Sequence, residues 1–286
     1  MQDRHTLILV TVAAAAVLVA LHGAAPADVP DSIKAKSLMS ATVQLTIDGA
    51  ATFPLAEIPK GQALVVTSIR AMEFAGGSYL SFRLSHPNYN TPSMTMTAQP
   101  NDAIVQVGLA SGLVFRSDQE LTTLSVEVLP YSNIIPKGSL ELMLQGYFAS
   151  LSSKDLPWTH VVTVGLGQTS TLEVAQKRAM VVTDAWPGGG IFQIGPSTGE
   201  IGRSVIPRGL DHSAHSDSYI NGFYNPGFGK WSSQSGVPIF RDETLQVRNL
   251  AQGGSADKFT YWPNYETLVL MPEWDLQVLV SGYYRN

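Results

Sequence analysis

No cysteine occurs among the 286 residues. That absence excludes a disulfide framework, thiolate metal sites and a cysteine nucleophile. Charge is scarce too: Asp, Glu, Lys and Arg make up 14% of the chain, against about 25% in ordinary soluble domains. The formal net charge is −5 and no cluster of Lys and Arg appears, so the electrostatic footprint of a nucleic-acid binder is missing. Catalytic signatures are lacking as well. There is no HExxH and no D-x-[DN]-x-[DN]-G calcium loop, and the G-x-S-x-G letters at Gly195–Gly199 and the S-x-x-K letters at Ser255–Lys258 are not followed by the helical pattern that frames a catalytic serine. After residue 40 no segment keeps helical periodicity beyond about two turns. An enzyme is not expected, nor is a cofactor.

What is present begins with one long uncharged run, "TLILVTVAAAAVLVAL" (6–21), followed by "HGAAPADVPDS". Its length lies between a signal-peptide core and a membrane span of about 17–25 residues. Ala25-Pro26-Ala27 offers a small-x-small cleavage site before Asp28. Residues 1–27 are therefore expected to be a hydrophobic helix, serving as a signal peptide or membrane anchor. Export follows from either role, with the rest of the chain on the periplasmic or extracellular side, or in a virion. Residues 28–41 form a linker.

Beyond it, "ATVQLTI" (41–47), "QALVVTSI" (62–69), "TTLSVEVL" (122–129) and "SLELMLQGYF" (139–148) alternate apolar and polar residues between Gly, Pro, Asn or Asp. The chain also repeats itself. Residues 44–69 match 160–185 without a gap at an offset of 116, with Val65-Val66-Thr67 on Val181-Val182-Thr183. "SGLVFRSDQELTTLSV" (111–126) answers "SGVPIFRDETLQV" (235–247), with Phe115-Arg116 on Phe240-Arg241 at an offset of 125. "LQGYF" (144–148) answers "VSGYY" (280–284) at an offset of 136. The glycine of that closing motif lets a neighbouring backbone or ring approach, and the two aromatics after it point to opposite faces, one capping the core and one lying outside. The fold class is all-β, two tandem β-sandwich domains of jelly-roll type after the N-terminal helix. The first sandwich spans 42–148, a linker 149–159, and the second sandwich, with loop insertions, 160–286.

The closing "SGYY" resembles the last strand of tumour-necrosis-factor-like and C1q-like jelly rolls. Two tandem jelly rolls in a chain of this size resemble the double-jelly-roll capsid proteins of membrane-containing viruses. That resemblance implies a virion protein assembling with copies of itself.

The second copy carries extra residues, and loops on a shared scaffold are where binding function concentrates. Its stretch "LDHSAHSDSYINGFYNPGFGKW" (210–231) supplies Asp211, His212, His215 and Asp217 as nitrogen and oxygen donors. A zinc site there needs a third ligand from another element, such as His86 or His160. The bland reading is a solvated loop, and no metal is expected. A triad through Ser213, or a glycosidase carboxylate pair drawn from Glu243, Glu266 and Glu273, has no framing motif. Aromatic residues are the better candidates: Tyr224, Phe228 and Trp231 in one cluster, Tyr261, Trp262 and Tyr265 in another. Such rings fill cores, anchor protein interfaces or stack on sugars. The expected function is an extracytoplasmic structural protein whose sandwiches assemble with other protein subunits, with the membrane as a second partner through the N-terminal helix. A capsid protein and a carbohydrate-binding protein are the alternatives.

Overall fold

In the computed structural model, the described residues are 37–75, 79–92, 94–97, 104–129, 137–165, 167–173, 178–187, 192–199, 203–206, 231–250 and 276–285. The apolar run 6–21 lies outside them. Among the described residues no helix is long and apolar enough to cross a membrane.

Period-2 patterning governs the strands. In β1 (Leu38–Asp48), Val43, Leu45 and Ile47 are buried while Thr42, Gln44 and Thr46 are exposed. Alternate side chains of a strand point to opposite faces, so this strand has one face on a core and one on water. The first half continues with β2 (Ala51–Ile58), β3 (Gln62–Ala75), β4 (Tyr79–His86), β5 (Tyr89–Asn90), β6 (Met94–Thr97), β7 (Ile104–Ser117), β8 (Thr122–Leu129) and β9 (Lys137–Ser150). The second half holds β10 (Trp158–Val164), β11 (Thr169–Leu172), β12 (Ala179–Pro187), β13 (Phe192–Pro196), β14 (Trp231–Ile239), β15 (Leu245–Asn249) and β16 (Leu276–Arg285). β1 begins inside the stretch read as linker, and β9 and β10 trim the second linker to residues 151–157.

These strands make four antiparallel sheets. In the first half, β1-β9-β3-β7 faces β2-β8-β4-β5, with β6 paired to β4. In the second half, β10-β16-β12-β14 faces β11-β15-β13. One apolar cluster fills the first sandwich, joining Leu45, Leu64, Phe115 and Leu144 of one sheet to Ile58, Phe82, Leu84 and Val126 of the other. A second cluster does the same between Val162, Val182, Ile239 and Val280 on one side and Phe192, Ile194 and Val247 on the other.

The strand order repeats from one half to the other, and so do its irregularities. β3 and β12 each break register after Val66 and Val182, residues 116 apart. Gly146 and Gly282 cross those breaks from β9 and β16. A Cβ on Gly146 would collide with the Val65 carbonyl oxygen, and one on Gly282 with that of Val181. The closing glycine therefore admits a neighbouring backbone, as its place in the motif suggested. The aromatics after it fare differently from expectation. Phe148 packs on the first core, but Tyr147 on the other face is buried as well, in a small cluster with Ala63, Val65 and Val114 that Leu151 and Leu156 cover. Burial, and then the charge of Asp155, pushes the Tyr147 hydroxyl up to about 12.

Strand pairing corrects the sequence match in two places. Phe115 pairs with Leu64, and the equivalent partner of Met180 is Ile239, not Phe240. The offset is 124, which brings Ser111-Gly112 onto Ser235-Gly236. Phe240 is 52% exposed whereas Phe115 and Ile239 are buried; a slip of one residue exchanges the two faces of a strand. In the first strands, Val43 opposite Leu142 corresponds to Val162 opposite Val278, an offset of 119. The gapless match would have set buried Ile47 on exposed Thr163.

Candidate functional site

A strand at the edge of a sheet leaves one row of backbone groups unpaired, and buried amides need acceptors. β7 is such an edge, and in this protein it lies against the second half. Between Leu113, paired to Val66, and Gly108, paired to Ser68, the residues Leu109–Gly112 bulge out of the ladder. Gly112 is required there: its φ is +87°, and a Cβ would come within 2.7 Å of Val65 Cγ1. The bulge aims its amides at the second half. Ala110 N donates to Asp184 Oδ1 at 2.9 Å and Ser111 N to Oδ2 at 3.0 Å. Further along, Val114 N donates to Thr159 Oγ1 at 3.0 Å.

Asp184 is fully buried. Besides the two amides, Ser232 Oγ donates to Oδ1 at 2.5 Å, Ser281 Oγ to Oδ2 at 3.2 Å, and Thr183 Oγ1 lies 2.9 Å from Oδ2. The Thr183 hydroxyl also stands 2.7 Å from Ser111 Oγ. A carboxylate accepts only, so one side chain gathers donors from β7, β12, β14 and β16. All its described partners are neutral, and none is a histidine. With its lone pairs taken up in this way, the group serves as a fastener between the halves.

Apolar contact completes the junction. Trp186 and Leu279, on the outer face of the second half's four-stranded sheet, belong to the first half's core cluster, and Val161 packs against it. This explains why β12 is buried almost without interruption instead of alternating. Tyr89 stacks on Phe115 with ring centroids 4.9 Å apart and donates to the Val114 carbonyl at 3.1 Å. Burial holds its hydroxyl far above the usual range.

A second polar cluster lies within the second half. Glu243 receives Arg203 Nη1 at 2.9 Å and Nη2 at 2.5 Å, the Phe240 amide at 2.9 Å and Thr198 Oγ1 at 3.1 Å. The Arg203 guanidinium also donates to Pro238 O and lies 4.4 Å from the Phe240 ring centroid. Of the three glutamates considered for glycoside hydrolysis, Glu243 is thus committed to an ion pair; Glu266 and Glu273 lie outside the described residues. The Arg203 hydrogen bonds draw the Glu243 carboxyl below its ordinary value, against a smaller opposing effect of burial. A depressed folded-state value means that the stabilisation is present above the unfolded value, near 4.5, and is lost as pH falls through the folded one. Glu243→Gln should therefore flatten the acid limb of a stability-against-pH curve below about pH 4.5. Urea titrations at several pH values check this; an unchanged limb would sink the assignment.

Neither histidine offered as a third metal ligand is set among further donors. His86 is buried, with Nε2 3.0 Å from Thr122 Oγ1 and Nδ1 accepting from Asn88 N at 3.2 Å. Burial lowers its pKa, and since Nδ1 accepts an amide hydrogen, the ring proton sits on Nε2. His160 lies on β10 opposite Val280, beside Trp158. Among the described residues no group of three or more His, Asp or Glu could hold a metal. Asp211, His212, His215 and Asp217 lie outside the described residues, as do Tyr224, Phe228, Tyr261, Trp262 and Tyr265. Trp231 opens β14 opposite Ala185 and packs, half-buried, on the second core. Sequence reasoning passed over Asp184. The available signal was a lone acid in an otherwise apolar β-pattern, "AMVVTDAWP".

No protein-family model matches the chain, and no curated protein matches it by sequence. Among the solved structures that the chain matches are two from viruses. One is the crystal structure of the major capsid protein P2 from bacteriophage PM2, with a TM-score of 0.31 and 9% identity, covering 85% of this chain and 97% of that one. The other is the atomic structure of Sulfolobus turreted icosahedral virus, with a TM-score of 0.34 and 8% identity, covering 87% of this chain and 91% of that one. At these TM-scores the similarity places no residue of this chain.

Proposed function

We propose that this protein is a non-enzymatic assembly subunit of the double-jelly-roll capsid type, in which each half is a jelly roll and the pair acts as one building block of a protein shell. The carrying observation is the junction itself. Two sandwiches with the same strand order are joined through a buried carboxylate and an inserted Trp186, so that an edge strand is consumed in making one block of two. A binding module or an enzyme has no need for that duplication, whereas a shell-forming subunit gains a broad tile with edges at both ends. The polar side chains best placed for chemistry, Asp184, Glu243 and His86, are each taken up by partners inside the fold. The N-terminal run 6–21 gives the tile a point of contact with a membrane.

Native mass and sedimentation of the full chain in mild detergent test this. The expected result is a discrete assembly of several copies at micromolar concentration. A monomer at every concentration would overturn the proposal.

A further inference from the structure

The two halves fasten the same strand end in different ways. Leu84 of β4 pairs with Val126 and Ile194 of β13 with Val247, so these strands correspond. Each is clasped by the segment that follows it. Leu84 N donates to Thr91 Oγ1 at 3.0 Å and Thr91 N to Leu84 O at 2.9 Å, while Ile194 and Val205 exchange backbone bonds of 2.9 Å. Two residues before the clasp stand Tyr89, stacked on Phe115, and Arg203, 4.4 Å from the Phe240 ring centroid. Two residues past Leu84 and Ile194 the chemistry parts: the first half has His86 and the second Pro196. The second half is secured there by Glu243 on Arg203, the first by a histidine, whose charge changes near neutral pH.

His86 is buried and holds its turn closed as a neutral ring. Its Nε2–H reaches Thr122 Oγ1 at 3.0 Å, at the start of β8, and its Nδ1 accepts the Asn88 amide at 3.2 Å across the turn. Asn88 in turn ties the loop to β7, where Arg116 N donates to Asn88 Oδ1 at 3.2 Å. The next residue, Tyr89, donates to Val114 O, and Val114 N is one of the amides bonded to the second half. The charged groups on the surrounding elements are Glu57 on β2, Lys60 in the turn after it, Arg116 on β7, and Asp118 and Glu120 in the turn before β8. All of these are exposed, with Arg116 and Asp118 3.6 Å apart, and Arg83 of β4 pairs with Glu127 of β8. Among the described residues no carboxylate bonds the ring. A second ring proton would put a donor on Nδ1 facing the Asn88 N–H, and would place a cation in the interior without a described counter-ion.

We infer that His86 is an acid-operated latch: on taking a second proton it releases the Pro87-Asn88 turn, and the β4–β5 end of the first half comes away from β7 while the second half stays closed. This goes beyond the assembly reading and does not depend on it. The order of events follows from the two fastenings. Burial holds the closed His86 ring below its ordinary value of 6.5. The open turn therefore binds the proton more readily, so the latch is at full strength above about pH 6.5 and weakens as pH falls through the closed-state value. The Arg203–Glu243 clasp keeps its strength down to about pH 4.5. Between those limits acid opens one turn and spares the other.

Hydrogen exchange of the full chain tests this, read segment by segment at about pH 7.5 and about pH 5.5 and corrected for the chemical exchange rate. With an open-state value near 6.5 and a closed ring that resists the proton, the open fraction should rise roughly tenfold across that interval at residues 86–92 and 113–116. Residues 192–199 and 239–247 should not change. His86→Asn keeps an acceptor where Nδ1 stands and takes up no proton, so its exchange at 86–92 should be independent of pH. Unchanged exchange at 86–92 in the unaltered chain, or a folded His86→Asn chain that opens by the same factor, would overturn the latch. Should that variant fail to fold, the segment pattern of the unaltered chain decides alone: opening spread evenly over both halves would overturn the latch as well.

Discussion

Asp184→Ala should cost the folded chain about 3 kcal/mol or more, the largest effect expected of any single polar substitution here. The change strips an acceptor from two backbone amides and from hydroxyls on three strands. Each buried donor left unmatched costs about 1–3 kcal/mol. Asp184→Asn should do little better. An amide has one acceptor oxygen and one NH2, and the two carboxylate oxygens each face a backbone N–H, at Ala110 and at Ser111. Whichever way the Asn side chain turns, a donor meets a donor. Calorimetry should record the loss with a second signature: a single transition in the unaltered chain separating into two as the halves lose their fastener. An Asn variant that melts like the unaltered protein would refute the role given to Asp184.

Gly282→Ala and Gly146→Ala should each destabilise by roughly 3 kcal/mol, near the upper end of what an extra methyl costs in a packed interior. At both positions the added carbon would run into a main-chain carbonyl of the neighbouring strand, which has no rotamer to yield. Position 282 should be the worse of the two, because Trp158 Cζ2 stands 2.8 Å from the same point. Gly108→Ala is the control. Nothing lies within 4 Å of its Cβ position and its φ is not left-handed, so it should change stability by no more than about 0.5 kcal/mol. Chemical denaturation of the three variants decides it. A neutral Gly282→Ala would mean that the register break beside Val182 has room the geometry denies.

The closing glycines were legible because their requirement is local. A Gly before two aromatics in a last strand states a close approach on one side, and the repeat of that motif states it twice. The β character was equally open to reading, since alternation along residues 41–47 and 122–129 maps directly onto buried and exposed faces. Trp186 was not legible. On its own strand it reads as core of the second half, yet it packs into the first, and only the meeting of two sandwiches decides which core a side chain on a doubly buried strand will join. The same holds for the repeat register. Matching letters put Phe115 on Phe240, and only strand pairing showed that Ile239 fills the equivalent site. The aromatic candidates Tyr224, Phe228, Tyr261, Trp262 and Tyr265 lie outside the described residues.

By itself, the sequence determined the all-β class, the duplication and the exclusion of thiol chemistry, because each follows from residue type and short-range period. The tertiary structure alone decided how the halves are joined. An edge strand must find acceptors for its outward amides, and which distant side chain supplies them depends on a three-dimensional approach that no spacing encodes. Asp184 meets Ala110 and Ser111 across more than seventy residues of chain, and that meeting makes two sandwiches one block.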